Sequence, residues 1–189
     1  MANTKANVTV GKPAIGGSVH RAAIGTTPPT DVSTALTGFV DLGYISEDGV
    51  TNSYDRTNEK IKAWGGDDVL EVSTDFSDTW KMTFIEALNP EVLKVVFGDG
   101  NVSGALATGL SVQANDDVYA EAVWVIDMIL SGNTLKRVVL PAAQVSEIGD
   151  IVYVDGEPVG YEVTLRANKD SSGNNHYEYL KTASSSGSN

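Results

Sequence analysis

Along much of the chain, apolar residues recur at every second position, the spacing of a strand with one buried face. Val159, Tyr161, Val163 and Leu165 are offset by one from Gly160, Glu162, Thr164 and Arg166, which predicts a clean alternating strand. Leu70, Val72 and Phe76 alternate with Val69, Glu71, Ser73 and Asp75, and Trp80, Met82 and Phe84 alternate with Thr79, Lys81 and Thr83. With Ser77–Asp78 as a turn, these two runs predict a hairpin with one oily face and one face of hydroxyls and charges. Ala122, Trp124, Ile126, Met128 and Leu130 mark another strand, whose opposite face (Val123, Val125, Asp127, Ile129) is also mostly apolar. Such a strand is expected to be buried on both sides. Ser131–Gly132–Asn133 then turns the chain into the segment from Leu135 to Leu140, a second hairpin.

One segment breaks the two-residue period. Asn89 suits an N-cap, Pro90 the first helical position, Glu91 the positive end of the helix dipole and Gly98 a C-terminal stop. Between them Val92, Leu93, Val95, Val96 and Phe97 put apolar groups on most sides, so this short helix should pack on a sheet. Composition agrees with a mostly β chain: 23 Val and 16 Thr stand against 12 Leu. Residues 25–38, with two successive prolines, and residues 98–117, rich in Gly, Ala, Ser and Asn, read as long loops. Residues 1–14 read as an N-terminal arm, 15–181 as a single β domain and 182–189 as a flexible C-terminal tail.

The chemistry on offer is sparse. No cysteine is present, so disulfides, thiolate metal sites and a cysteine nucleophile are excluded. His20 and His176 are far apart, and the acidic pairs Asp67–Asp68 and Asp116–Asp117 lack the alternating spacing of a calcium loop. There is no phosphate-cradling glycine motif and no Gly-x-Ser-x-Gly elbow; Gly65–Gly66 and Gly98–Asp99–Gly100 are turn chemistry. The expectation is a protein without enzymatic activity, cofactor or metal. The longest near-apolar stretch, 119–130, is interrupted by Glu121 and Asp127 and is too short to span a bilayer, so no membrane partner is expected. Thirteen Lys and Arg against 25 Asp and Glu give a formal charge of −12, which makes the chain a poor clamp for DNA phosphates.

Residues 39–64 are the most informative stretch. A strand over 39–45 meets an Asp48–Gly49 turn and continues into a long polar limb. Glu47, Asp48, Gly49, Val50, Tyr54, Ile61 and Trp64 are its candidate inter-subunit residues, because its few apolar groups cannot build a core alone. A neighbouring copy would cover them.

At this point the chain resembles the major tail (tail tube) proteins of long-tailed bacteriophages. The resemblance rests on Asp41-Leu-Gly-Tyr-Ile-Ser-Glu-Asp-Gly-Val50 and on Glu59-Lys-Ile-Lys-Ala-Trp-Gly65. A Val- and Thr-rich hairpin follows, then Asn89-Pro-Glu-Val-Leu93 running to Phe97–Gly98, and Pro158-Val-Gly-Tyr-Glu-Val-Thr-Leu165 near the end. As an order of elements it covers roughly residues 15–180. It implies a β-sandwich or barrel-like subunit flanked by one short helix, with long loops. It further implies hexameric rings whose inner strands join into one β-barrel and which stack into a tube. Implied partners are further copies of the chain, a tape measure protein, tail tip or terminator proteins, and double-stranded DNA that passes without specific binding. The implied location is the virion tail, assembled in the host bacterial cytoplasm. An acidic bore would repel its cargo over about 8 Å. The face carrying Glu71, Ser73, Asp75, Thr79 and Thr83 is the candidate lumen lining, although Lys81 shares it. Two alternatives stand beside this reading: a tube-forming ring protein of a contractile secretion apparatus, and a monomeric β-sandwich adhesin or decoration domain.

Overall fold

The structure is a computed structural model and describes residues 3–14 and 17–183. Residues 184–189 of the expected tail, residues 1 and 2 of the expected arm, and the expected domain start at residue 15 lie outside the described residues. Eleven strands and one helix follow in order: β1 (Gly11–Pro13), β2 (Val19–Ala23), β3 (Val40–Asp41), β4 (Ile45–Lys62), β5 (Asp68–Phe84), α1 (Pro90–Phe97), β6 (Val102–Ala105), β7 (Gly109–Val112), β8 (Ala122–Leu130), β9 (Thr134–Ile148), β10 (Tyr161–Ala167) and β11 (Tyr177–Thr182). Nine strands form one antiparallel sheet in the order β3-β2-β8-β9-β10-β5-β4, with β1 added on β8 and β11 on β9; β6 and β7 make a separate small hairpin.

The core lies on one side of this sheet. Trp80, Met82 and Phe84 of β5, Trp124 and Ile126 of β8, Val138 and Leu140 of β9, and Val163 and Leu165 of β10 meet Val92, Leu93, Val95 and Val96 of α1. The helix forms where its caps place it: the Glu91 N–H donates to Asn89 Oδ1 at 3.0 Å, and Gly98 ends it with φ 97°. The expected strand buried on both sides is present, since Val123 and Val125 are as inaccessible as Trp124 and Ile126. On that second face Arg137 is the buried tie. Its Nε and Nη2 donate to the two Asp127 carboxylate oxygens at 2.7 Å each, and its Nη1 donates to the carbonyls of Asp31 and Thr34. The proline-containing loop 25–38 is thereby strapped to β9.

Three expectations are corrected. Ser77–Asp78 is no turn: β5 runs unbroken through it and pairs along its length with β4. Asp78 is held there by long-range partners that local turn preference does not register. The expected strand over 39–45 shrinks to the two residues of β3, and Asp48–Gly49 lies inside β4 as a wide bulge, where Ile45 pairs Phe84 but Val50 already pairs Met82. The expected loop 98–117 contains the β6–β7 hairpin. Gly104 is required there, since a Cβ at that position would lie 2.2 Å from the Gly109 carbonyl oxygen.

Candidate assembly site

β4 and β5 together form a two-stranded arm that leaves the body. An 18-residue strand is about 60 Å long. Every residue over 53–75 is exposed, whereas Trp80, Met82 and Phe84 further along β5 are buried. The true hairpin turn is 63–67. The Ala63 N–H donates to the Asp67 carbonyl at 2.8 Å, the Gly66 N–H donates to the Ala63 carbonyl at 3.0 Å, and Gly65 and Gly66 take φ of 119° and 100°. Trp64 stands at the tip fully exposed.

A bulge sorts the arm's side chains. Thr57 pairs Asp75, and the next β4 residue, Asn58, pairs Ser73, so Thr74 is the extra residue. Successive strand residues point to opposite faces, so Asp75 and Ser73 do as well. The five residues assigned to one face are therefore divided. Asp75, Thr79 and Thr83 lie on the face away from the core, and Glu71 and Ser73 lie on the other face, where the Asn58 side-chain amide donates to Glu71 Oε1 at 3.0 Å.

Beyond the bulge the arm is two-faced. Ile61 pairs Leu70 and Glu59 pairs Val72, which places Ile61, Leu70 and Val72 on the Asp75 side, all exposed. The opposite side carries Asn58, Lys60, Glu71 and Ser73, and Asp68 receives Lys60 at 3.2 Å and Lys62 at 3.9 Å. Leu70 and Val72 were visible in the sequence as an alternating pair but were expected to belong to an oily hairpin face. Of the limb residues, Glu47, Asp48 and Gly49 form the bulge at the root, and Val50 packs against the core edge. Tyr54 sits at the arm's root, and Ile61 and Trp64 lie at the outer end.

The junction of arm and body has its own clamp, not legible in the sequence because its members are 22 to 122 residues apart. Asp78 is fully buried. Its Oδ1 accepts from the Asn52 side-chain amide at 2.8 Å, and its Oδ2 accepts from His176 Nδ1 at 2.6 Å. The far ring nitrogen of His176, Nε2, lies 2.9 Å from the Tyr54 hydroxyl, and the ring edge meets Trp80 at 5.2 Å between centroids. Burial, then the carboxylates of Asp78 and Glu178, push the Tyr54 phenol above its ordinary range, so it acts as a neutral hydroxyl. Phe76 stacks on Tyr54 and lies under the Arg56 guanidinium.

Among the described residues no three of His, Asp and Glu converge as a metal site, and no helix is long and apolar enough to cross a membrane. What the geometry builds is a packed β body from which an amphipathic two-stranded arm projects. That is a subunit shaped for association. The family model for phage tail tube protein matches residues 1–187, and the chain belongs to that family. This is a structural family of the virion tail, not a family of enzymes. None of the curated proteins compared with the chain matches it.

Proposed function

We propose that the chain is the repeating subunit of a tail tube, assembling as hexameric rings that stack into the conduit for genome delivery. The observation that carries this reading is the arm: residues 53–75 are all exposed, and the apolar set Ile61, Trp64, Leu70 and Val72 has no cover within the chain. An isolated two-stranded ribbon is marginal in water, so such an arm makes physical sense when neighbouring copies pack on it. A head-to-tail contact that does not close on itself gives a filament, the property a tube of stacked rings needs.

For the bore we propose the non-core face of β5 and β10, carrying Asp75, Thr79 and Thr83 with Glu162 and Thr164. Glu71 and Ser73 belong to the other face and leave this set. The Lys81 ammonium on the bore face is matched by Glu162 at 2.8 Å, so it offers passing DNA no free cation. Arg166, which pairs Thr79, shares this face, so on β5 and β10 two acids stand against two bases and a duplex meets no net positive charge to hold it. The tape measure, tail tip and terminator partners, and assembly in the host cytoplasm, belong to the same proposal. Negative-stain microscopy of purified protein across a concentration series tests it. Tubes with sixfold cross-sections are expected, and a chain that stays monomeric in light scattering at high concentration overturns the reading in favour of a solitary binding domain.

A further inference from the structure

The connection between β9 and β10 carries strand chemistry without a strand. Residues 151–154 are Ile-Val-Tyr-Val, all strong strand formers, followed by the Asp155–Gly156 turn. Apart from that tight turn, no backbone hydrogen bond joins residues 151–158 to any other described residue. Val152, Tyr153 and Val154 are 56%, 72% and 51% exposed. Three successive residues of an extended chain point to both of its faces, so neither face is packed. Folding back on residues 157–160 does not cure this, because Pro158 has no N–H to give to a ladder.

The molecule also presents an unfilled ladder of the opposite charge. Among the described residues β4 has β5 on one side and no strand on the other, and over 53–62 it is exposed. A long free edge of this kind invites strand addition. It carries Arg56, Lys60 and Lys62, three of the thirteen basic residues, against Asp55 and Glu59, and Lys60 and Lys62 lie 3.2 and 3.9 Å from Asp68 of β5. The segment 149–165 carries Asp150, Asp155, Glu157 and Glu162 and no Lys or Arg. One molecule cannot bring the loop to the outer end of that edge, where Lys60 and Lys62 lie. The loop is held at its ends by the Gly149 N–H on the Glu162 carbonyl at 2.9 Å and by Tyr161 paired with Phe84. Eleven residues tied at both ends reach out at most about 18 Å. Lys60 lies ten β4 positions beyond Val50, the partner of Met82, which is about 33 Å away.

We infer that residues 151–154 become a strand on assembly by adding to the free edge of β4 in a second copy of this chain. The inference rests on the self-assembly reading above and names a specific seam within it.

Hydrogen exchange read by mass spectrometry, on the full chain before and after assembly, tests the seam. The amides of Val152, Tyr153 and Val154, with those over 55–62, should slow by about tenfold or more on assembly. Tyr153→Pro removes one ladder donor and should block assembly while leaving the melting temperature of the dissociated chain unchanged; Tyr153→Ala keeps the donor and should still assemble. Assembly with unprotected amides over 151–154 overturns the seam alone, as does a Tyr153→Pro chain that assembles like the parent. A Tyr153→Ala chain as defective as Tyr153→Pro also overturns it, since side-chain docking would then explain the contact. A parent chain that never assembles overturns the tube reading and the seam together.

Discussion

β5 passes through two environments without a break in its backbone. Over 79–84 it lies between β4 and β10, and Trp80, Met82 and Phe84 are buried there, as is Asp78 just before. Over 68–75 it has β4 alone for company, and every residue is exposed. The first half is fixed by apolar burial and by ladder bonds on both edges. The second half has one ladder and exposed ion pairs at Lys60–Asp68 and Lys62–Asp68, which contribute little. Extended conformation is therefore not evidence of a core. The outer half of the arm keeps strand geometry on the β4–β5 ladder alone.

The widest separation between the two halves should come from truncating an apolar side chain in each. Phe84→Ala, at a fully buried site, should cost about 3–5 kcal/mol. Leu70→Ala, in the arm, should change the stability of the dissociated chain by no more than about 0.5 kcal/mol. Urea melts of both variants check this, and tube formation should fail for Leu70→Ala although its fold is intact. Comparable losses at the two sites would erase the distinction between body and arm.

Next in size is the clamp at the junction. Asp78→Ala leaves His176 Nδ1 without its acceptor and the Asn52 amide with the Thr79 carbonyl alone, at a cost of about 1–3 kcal/mol. Exchange of arm-root amides should rise more than exchange in β8, and uniform loosening of the whole sheet would show that the clamp does not act locally.

Smaller still on stability is insertion of one serine between Thr57 and Asn58. It gives Thr74 a partner, removes the bulge and turns the apolar set Leu70 and Val72 to the opposite side of the arm. The dissociated chain should melt within about 0.5 kcal/mol of the parent, because the site is exposed. Microscopy should show tubes lost; regular tubes from the lengthened chain would mean that the sidedness of the arm is irrelevant.

The smallest effect concerns acid. The two Arg21 guanidinium bonds, at 2.7 Å each, hold the Asp99 carboxyl below its ordinary 3.8 against partial burial. A folded-state value below the unfolded one stabilises above pH about 3.8 and loses that contribution as the pH falls through the lower value. Asp99 is half exposed, so solvent screens much of the effect. In Arg21→Ala an NMR titration should show the Asp99 value rising toward 3.8; no movement would detach it from Arg21.

The elements legible in the sequence are those whose causes are local. Asn89, Pro90 and Gly98 bounded α1 because caps act within one turn, and the mostly apolar run of β8 announced burial on both faces. The family resemblance was legible from the order of such elements, and the family match agrees with it. The hairpin was misplaced for an equally local reason: Ser77–Asp78 has the composition of a turn, and only Asn52 and His176 show why Asp78 is buried in mid-strand.

By itself, then, the sequence determined that the chain is mostly β with one capped helix, strongly acidic, without cysteine chemistry and with a limb too polar for a core. Tertiary structure alone decided which strands pair, where the arm leaves the body and which face each arm residue occupies. The physical reason is parity. One extra residue, Thr74, reverses the alternation from Ser73 to Leu70, a second at Val69 restores it, and whether a bulge forms depends on the partner strand across the ladder and not on the residue itself.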